Sequence, residues 1–112
     1  MQVTRIADAP TYIAPEHYDM RSLRLQGREA GPTDTVWLGL SHILPGGHTS
    51  LSPAQVEKIY VCISGEVTVR TDSEEVTLHP LDSCRLAAGE PRALENRTNL
   101  PATVLLVMPE TQ

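Results

Sequence analysis

The sequence predicts an all-β fold, a small sandwich or jelly-roll barrel. Three observations carry that expectation. Short runs alternate apolar and polar residues with period two, the mark of half-buried strands. Proline, glycine or asparagine bounds these runs at close spacing. No stretch sustains the period of an amphipathic helix.

The elements follow in order. The chain up to about Glu16 is broken by Pro10 and Pro15 and reads as an arm or edge strand. Tyr18 to Leu25 is the first alternating run. Thr35 to Leu44 is clearer, with Val36, Leu38, Leu40, His42 and Leu44 on one face. That face is apolar, so His42 is expected to point inward. Ile59 to Ile63 is rich in β-branched and aromatic residues. Ser64-Gly65 is a turn, and Glu66 to Arg70 alternates again. Thr71-Asp72-Ser73 reads as a polar hairpin loop leading into Glu75 to His79. Ser83 to Ala87, Arg92 to Asn96 and Thr103 to Met108 complete the set. Residues 1–34 are read as an arm with the first strands and residues 35–112 as the barrel, within one domain.

A chain of 112 residues suffices for one modest core. Its net charge of −5, with no block of like charge, argues against a nucleic-acid or anionic-membrane surface, which needs a basic patch. No apolar run is long enough to span a bilayer, and no basic-then-apolar leader opens the chain, so a cytoplasmic location is expected. Cys62 and Cys84 lie in apolar stretches and are expected as buried free thiols. There is no Phe, and Trp37, Tyr12, Tyr18 and Tyr60 are the only aromatics, which leaves few platforms for stacking bases or flat sugars.

Two stretches carry a family resemblance. Pro45 to Val67, PGGHTSLSPAQVEKIYVCISGEV, resembles the first conserved motif of the cupins, and Leu81 to Asn96, LDSCRLAAGEPRALEN, the second. Agreement lies at Pro45-Gly46-Gly47, Tyr60, Gly65-Glu66-Val67, Asp82, Gly89 and Asn96. Leu81 stands where the family usually has a glycine, so a different turn is expected there. The resemblance spans about two thirds of the chain, Val36 to Met108, and implies a small cupin barrel. It also implies a homodimer, with the Tyr12 to Leu25 segment adding to the partner's sheet. The fold alone selects no activity.

Cupins usually hold a metal on His-x-His and Glu of the first motif and a His of the second. By resemblance those positions fall at Ser52, Ala54, Lys58 and Arg92. Ala54 has no donor atom, Ser52 only a hydroxyl, and Lys58 and Arg92 are cations. No metal and no other cofactor is therefore expected there. Alternation places Lys58, Tyr60 and Cys62 inward on one strand and Arg92, Leu94 and Asn96 inward on another. Lys58 and Arg92 would then face each other and suit a carboxylate. Pairing with internal carboxylates such as Glu57, Glu66, Glu90 or Glu95 is the competing account.

The expected ligand-binding residues are Lys58, Arg92, Tyr60, Ser52 and Asn96. His42, Tyr60 and Lys58 are the candidates for acid–base or nucleophilic work. Two functions remain open. One is a metal-independent isomerase, cyclase or lyase acting on a small anionic or carbonyl-containing molecule. The other is a non-catalytic binding or sensing module. A displaced metal site on His42, His48 and Glu57 is a further alternative.

Overall fold

Ten strands, all paired antiparallel, and two short 3-10 turns make up the computed structural model, which describes residues 1–111. The strands are β1 (Thr11–Tyr12), β2 (His17–Gln26), β3 (Val36–Thr49), β4 (Ser52–Pro53) and β5 (Lys58–Ser64). They continue as β6 (Val67–Arg70), β7 (Glu75–Leu78), β8 (Ser83–Leu86), β9 (Pro91–Glu95) and β10 (Ala102–Pro109). The sheet runs β7-β6-β9-β3-β10-β5-β8 and curls into a nearly closed jelly-roll barrel, with β2 laid along β3. Closure of this kind leaves little open sheet edge.

The core is built from one set of alternating residues. Ile43, Cys62, Val67 and Val104 are fully buried, packed with Tyr60, Val69 and Leu94. On β3 the inward residues are Trp37, Gly39 and Ile43. His42 therefore lies on the opposite face, where its Nδ1 is 3.1 Å from Thr103 Oγ1. The expected inward orientation of His42 is thus corrected. Apolar residues occupy both faces of β3, and the longer apolar series, Val36, Leu38, Leu40 and Leu44, turned out to be the outer one.

The segment from Tyr12 to Leu25 pairs with strands of its own chain: Tyr12 lies opposite Ser22, and β2 follows β3 from Thr49 to Leu38. One further expectation is corrected. Leu81 keeps the backbone that a glycine would give, with φ of +73°, and is 80% exposed. The turn is held without a glycine because Leu81 N–H donates to the Cys62 carbonyl and Asp82 Oδ2 accepts from His79 N–H. Gly65 needs its residue type: φ is +74°, and a Cβ would sit 2.6 Å from the Pro101 carbonyl oxygen.

Candidate active site at the barrel mouth

A cavity of about 290 Å³ opens beneath the arm, between β1, β2, β5 and β9. Lys58 and Arg92 both line it, as do Arg24, His17, Tyr12 and Trp37. Leu106 and Met108 of β10 add apolar wall. Among the described residues no Asp or Glu lines it. Three cations thus share one cavity without a carboxylate in its wall.

Lys58 is 4% exposed and Arg92 8%. Neither forms an ion pair among the described residues. The acidic residues that could have neutralised them are engaged elsewhere. Glu57 pairs with Arg85, and Glu95 with Arg70 and Arg97. Glu90 accepts from Ala87 N–H, and Glu66 lies near His79. Arg92 is fixed by neutral partners instead. Its Nε donates to the Tyr60 hydroxyl at 2.8 Å, and Nη1 donates to Thr49 Oγ1 at 3.3 Å. Thr49 Oγ1 also accepts Leu94 N–H, so the guanidinium is anchored to the β9 backbone.

Burial, with Arg92 as a second cause, lowers the Lys58 ammonium from its ordinary 10.5 to about 8. Lys58 is also the only lysine of the chain; every other strongly basic side chain is an arginine. Burial raises the Tyr60 phenol despite the opposing pull of Arg92. Tyr60 therefore stays protonated near neutral pH and positions Arg92 rather than acting as a base.

His17 enters the site in place of His42. Its Nδ1 lies 2.6 Å from the Pro15 carbonyl, which can only accept, so Nδ1 carries the hydrogen. In the neutral ring the lone pair is then on Nε2. Burial lowers the His17 pKa, the Pro15 bond opposes, and Arg92 and Lys58 lower it further. A neutral imidazole beside two cations is a competent proton acceptor.

Arg24 stacks over Tyr12 at 3.4 Å and over Trp37 at 4.4 Å; its Nε pairs with Glu29 at 3.3 Å, and a buried Nη1 has no hydrogen-bond partner among the described residues. Both Arg24 and His17 were missed in the sequence. The signal for Arg24 was its place between Leu23 and Leu25 in an alternating strand.

Other candidate residues fall outside the cavity wall. Ser52 is half-buried and pairs in register with Arg92. Asn96 is saturated by protein: Nδ2 donates to the Ile43 and Leu100 carbonyls, and Oδ1 accepts from Thr98 N–H and Oγ1. It clamps the β9–β10 turn, so its expected role in ligand binding is corrected. His42 is on the outer face, His48 stacks on Tyr18 at 4.9 Å, and Glu57 pairs with Arg85. These three do not converge. Among the described residues no group of three His, Cys, Asp or Glu could hold a metal ion. Lys58 and Arg92 in the cavity wall repel a divalent cation, so the side chains of this wall do not fit one.

Comparison with known proteins agrees with the architecture. Residues 39–108 match the Cupin_2 family, a cupin domain. The chain is 44% identical over 108 residues to the Mycobacterium tuberculosis protein named Beta-D-galactosidase Rv1717, covering 96% of this chain and 93% of that one. The polyketide cyclase RemF from Streptomyces resistomycificus superposes with a TM-score of 0.85 at 18% identity, over 97% of this chain and 79% of that chain. A cupin-superfamily sugar phosphate isomerase from Silicibacter pomeroyi superposes at 0.80 with 24% identity, over 96% and 74%. Motifs, barrel and family match agree: this chain belongs to the cupin family.

Proposed function

We propose that the barrel mouth binds a small anionic organic molecule, of the carbonyl or sugar kind, without a metal, and performs acid–base chemistry on it. The observation that carries this is the carboxylate-free cavity shared by Lys58, Arg92 and Arg24. Lys58 and Arg92 are buried cations without a counter-charge, which favours an anion, whereas Arg24 already pairs with Glu29 at 3.3 Å. The cavity is at the small end of ligand pockets, near 300 Å³. Arg92, held through Nε and Nη1, keeps Nη2 for a carboxylate. Lys58 supplies charge and a titratable amine, and His17 a proton acceptor.

A second reading, hydrolysis of a β-galactoside, is favoured by the 44% identity to the protein named Beta-D-galactosidase. Glycoside hydrolysis commonly uses two facing carboxylates, and none lines this cavity. A galactoside would thus need an unusual proton donor here. The apolar outer face of β3, β10 and β5 supports a homodimer, and the free thiols Cys62 and Cys84 support a reducing, cytoplasmic setting.

Calorimetric titration with lactate, pyruvate and galacturonate, beside an assay with a chromogenic β-galactoside, separates the readings. A bound carboxylate whose affinity falls about tenfold in Arg92→Lys, where charge stays but the fork is lost, supports anion binding. Turnover of the galactoside with no carboxylate binding would replace the first reading with the second.

A further inference from the structure

Eight of the nine strongly basic side chains are arginines, and the one lysine sits inside the barrel. An arginine at that place would hold a carboxylate as well or better, by its planar fork. What an amine offers and a guanidinium does not is a lone pair that can be released to attack carbon. The surroundings favour that release. Arg92 is anchored as a cation by Tyr60 and Thr49, and among the described residues no carboxylate of the wall compensates a second charge at Lys58.

We propose that Lys58 is a nucleophile that forms an imine with a small carbonyl compound bearing a carboxylate, with Arg92 holding the carboxylate. This rests on the anion-binding reading above and deepens it. The neutral amine adds to the carbonyl carbon, and the carbonyl oxygen leaves as one water carrying one amine hydrogen and one proton taken from solvent, giving a protonated imine; that proton returns to solvent when the imine is hydrolysed. That cation makes the adjacent C–H acidic. His17 Nε2 takes the proton while the C–H electron pair moves into a C=C bond and the imine π pair settles on nitrogen, forming an enamine. Return of a proton to carbon and addition of one water release the product and restore the amine. No oxidant or reductant is needed, so the reaction class is isomerisation, elimination or proton exchange beside a carbonyl. With an ammonium near 8, roughly a tenth of Lys58 is neutral at pH 7, against fewer than roughly one in a thousand for an ordinary lysine.

The test uses the whole chain with pyruvate and sodium borohydride, which reduces an imine to a stable secondary amine. Only Lys58 and the terminal amine can be labelled. The expected result is one adduct per chain in the Lys58 peptide, absent in Lys58→Arg. The wild-type chain should bind lactate, which has no carbonyl, and form no adduct with it. In deuterated water, exchange of the pyruvate methyl protons should slow at least about tenfold in His17→Gln, while the borohydride adduct persists. An adduct absent or confined to the terminal amine, with lactate still bound, overturns the nucleophile and leaves anion binding standing. Neither lactate binding nor an adduct overturns both. Unchanged proton exchange in His17→Gln overturns the role of His17.

Discussion

The sheet of β3, β10 and β5 has two faces of opposite character. Inward, Ile43, Val104 and Cys62 form a closed core, and the same face carries Lys58 and Trp37 at the mouth. Outward, Leu40, Leu105 and Val61 lie in register across three strands, and Leu38, Val107 and Ile59 form a second row. The outer face is thus almost wholly apolar, while the inner face joins a dense core to the Lys58 ammonium at the mouth. Hydrophobicity alone does not say which face is inside. The inner face is marked by buried polar groups with defined partners, such as Arg92 on Tyr60 and Thr49.

The sharpest break of that comparison is a matched pair of truncations. Ile43→Ala should cost about 3 kcal/mol in urea unfolding, because a fully buried side chain leaves a cavity. Leu40→Ala, half-buried on the outer face, should cost about 1 kcal/mol. Equal losses would mean that the outer row is covered as fully as the core, as a homodimer would cover it. Light scattering of Val61→Glu then checks whether a dimer dissociates.

A smaller effect is expected at the anchor of Arg92. Tyr60→Phe removes the hydroxyl that accepts from Nε while keeping the ring packed. Carboxylate affinity should drop about tenfold, roughly 1.4 kcal/mol, with the unfolding midpoint little changed. A loss of fold without a separate loss of affinity would make Tyr60 a core residue only.

The titration of Lys58 gives a pH signature. Its folded value of about 8 lies below the ordinary 10.5, so between them the unfolded chain binds more protons, and stability rises with pH. The clean window is about pH 8 to 9. Above it the raised thiols of Cys62 and Cys84 oppose, because the folded chain keeps those protons longer. The slope should stay below about 1 kcal/mol per pH unit, since solvent reaches the ammonium through the mouth, and should vanish in Lys58→Met. A slope that persists in that variant assigns it to another group.

The smallest effect is at Leu81. Its left-handed backbone is strained for a side chain that is 80% exposed. Leu81→Gly should stabilise the protein by about 0.5 kcal/mol net, after the entropy that glycine adds to the unfolded chain. A destabilised variant would show that the leucine is covered, for instance by a second copy.

By itself the sequence determined most of the strands and the barrel class, and it led to the expectation that Lys58 and Arg92 face one cavity; the short β4 and the extension of β3 to Thr49 were not legible in it. Period-two alternation and turn residues are local signals, and motif positions carry the barrel geometry with them. Which face of β3 is interior was decided only by the tertiary structure. Both alternating sets of that strand can pack, and the choice is made by the strands it pairs with. That choice put His42 outside and Trp37 inside. Tertiary structure also brought His17 and Arg24 to the mouth, more than thirty residues from Lys58 in the chain, through pairing of β2 with β3. It spent the hydrogen bonds of Asn96 on a turn and drew the nearby carboxylates to surface arginines. Side-chain partners over such separations depend on how the barrel closes, and no local pattern encodes them.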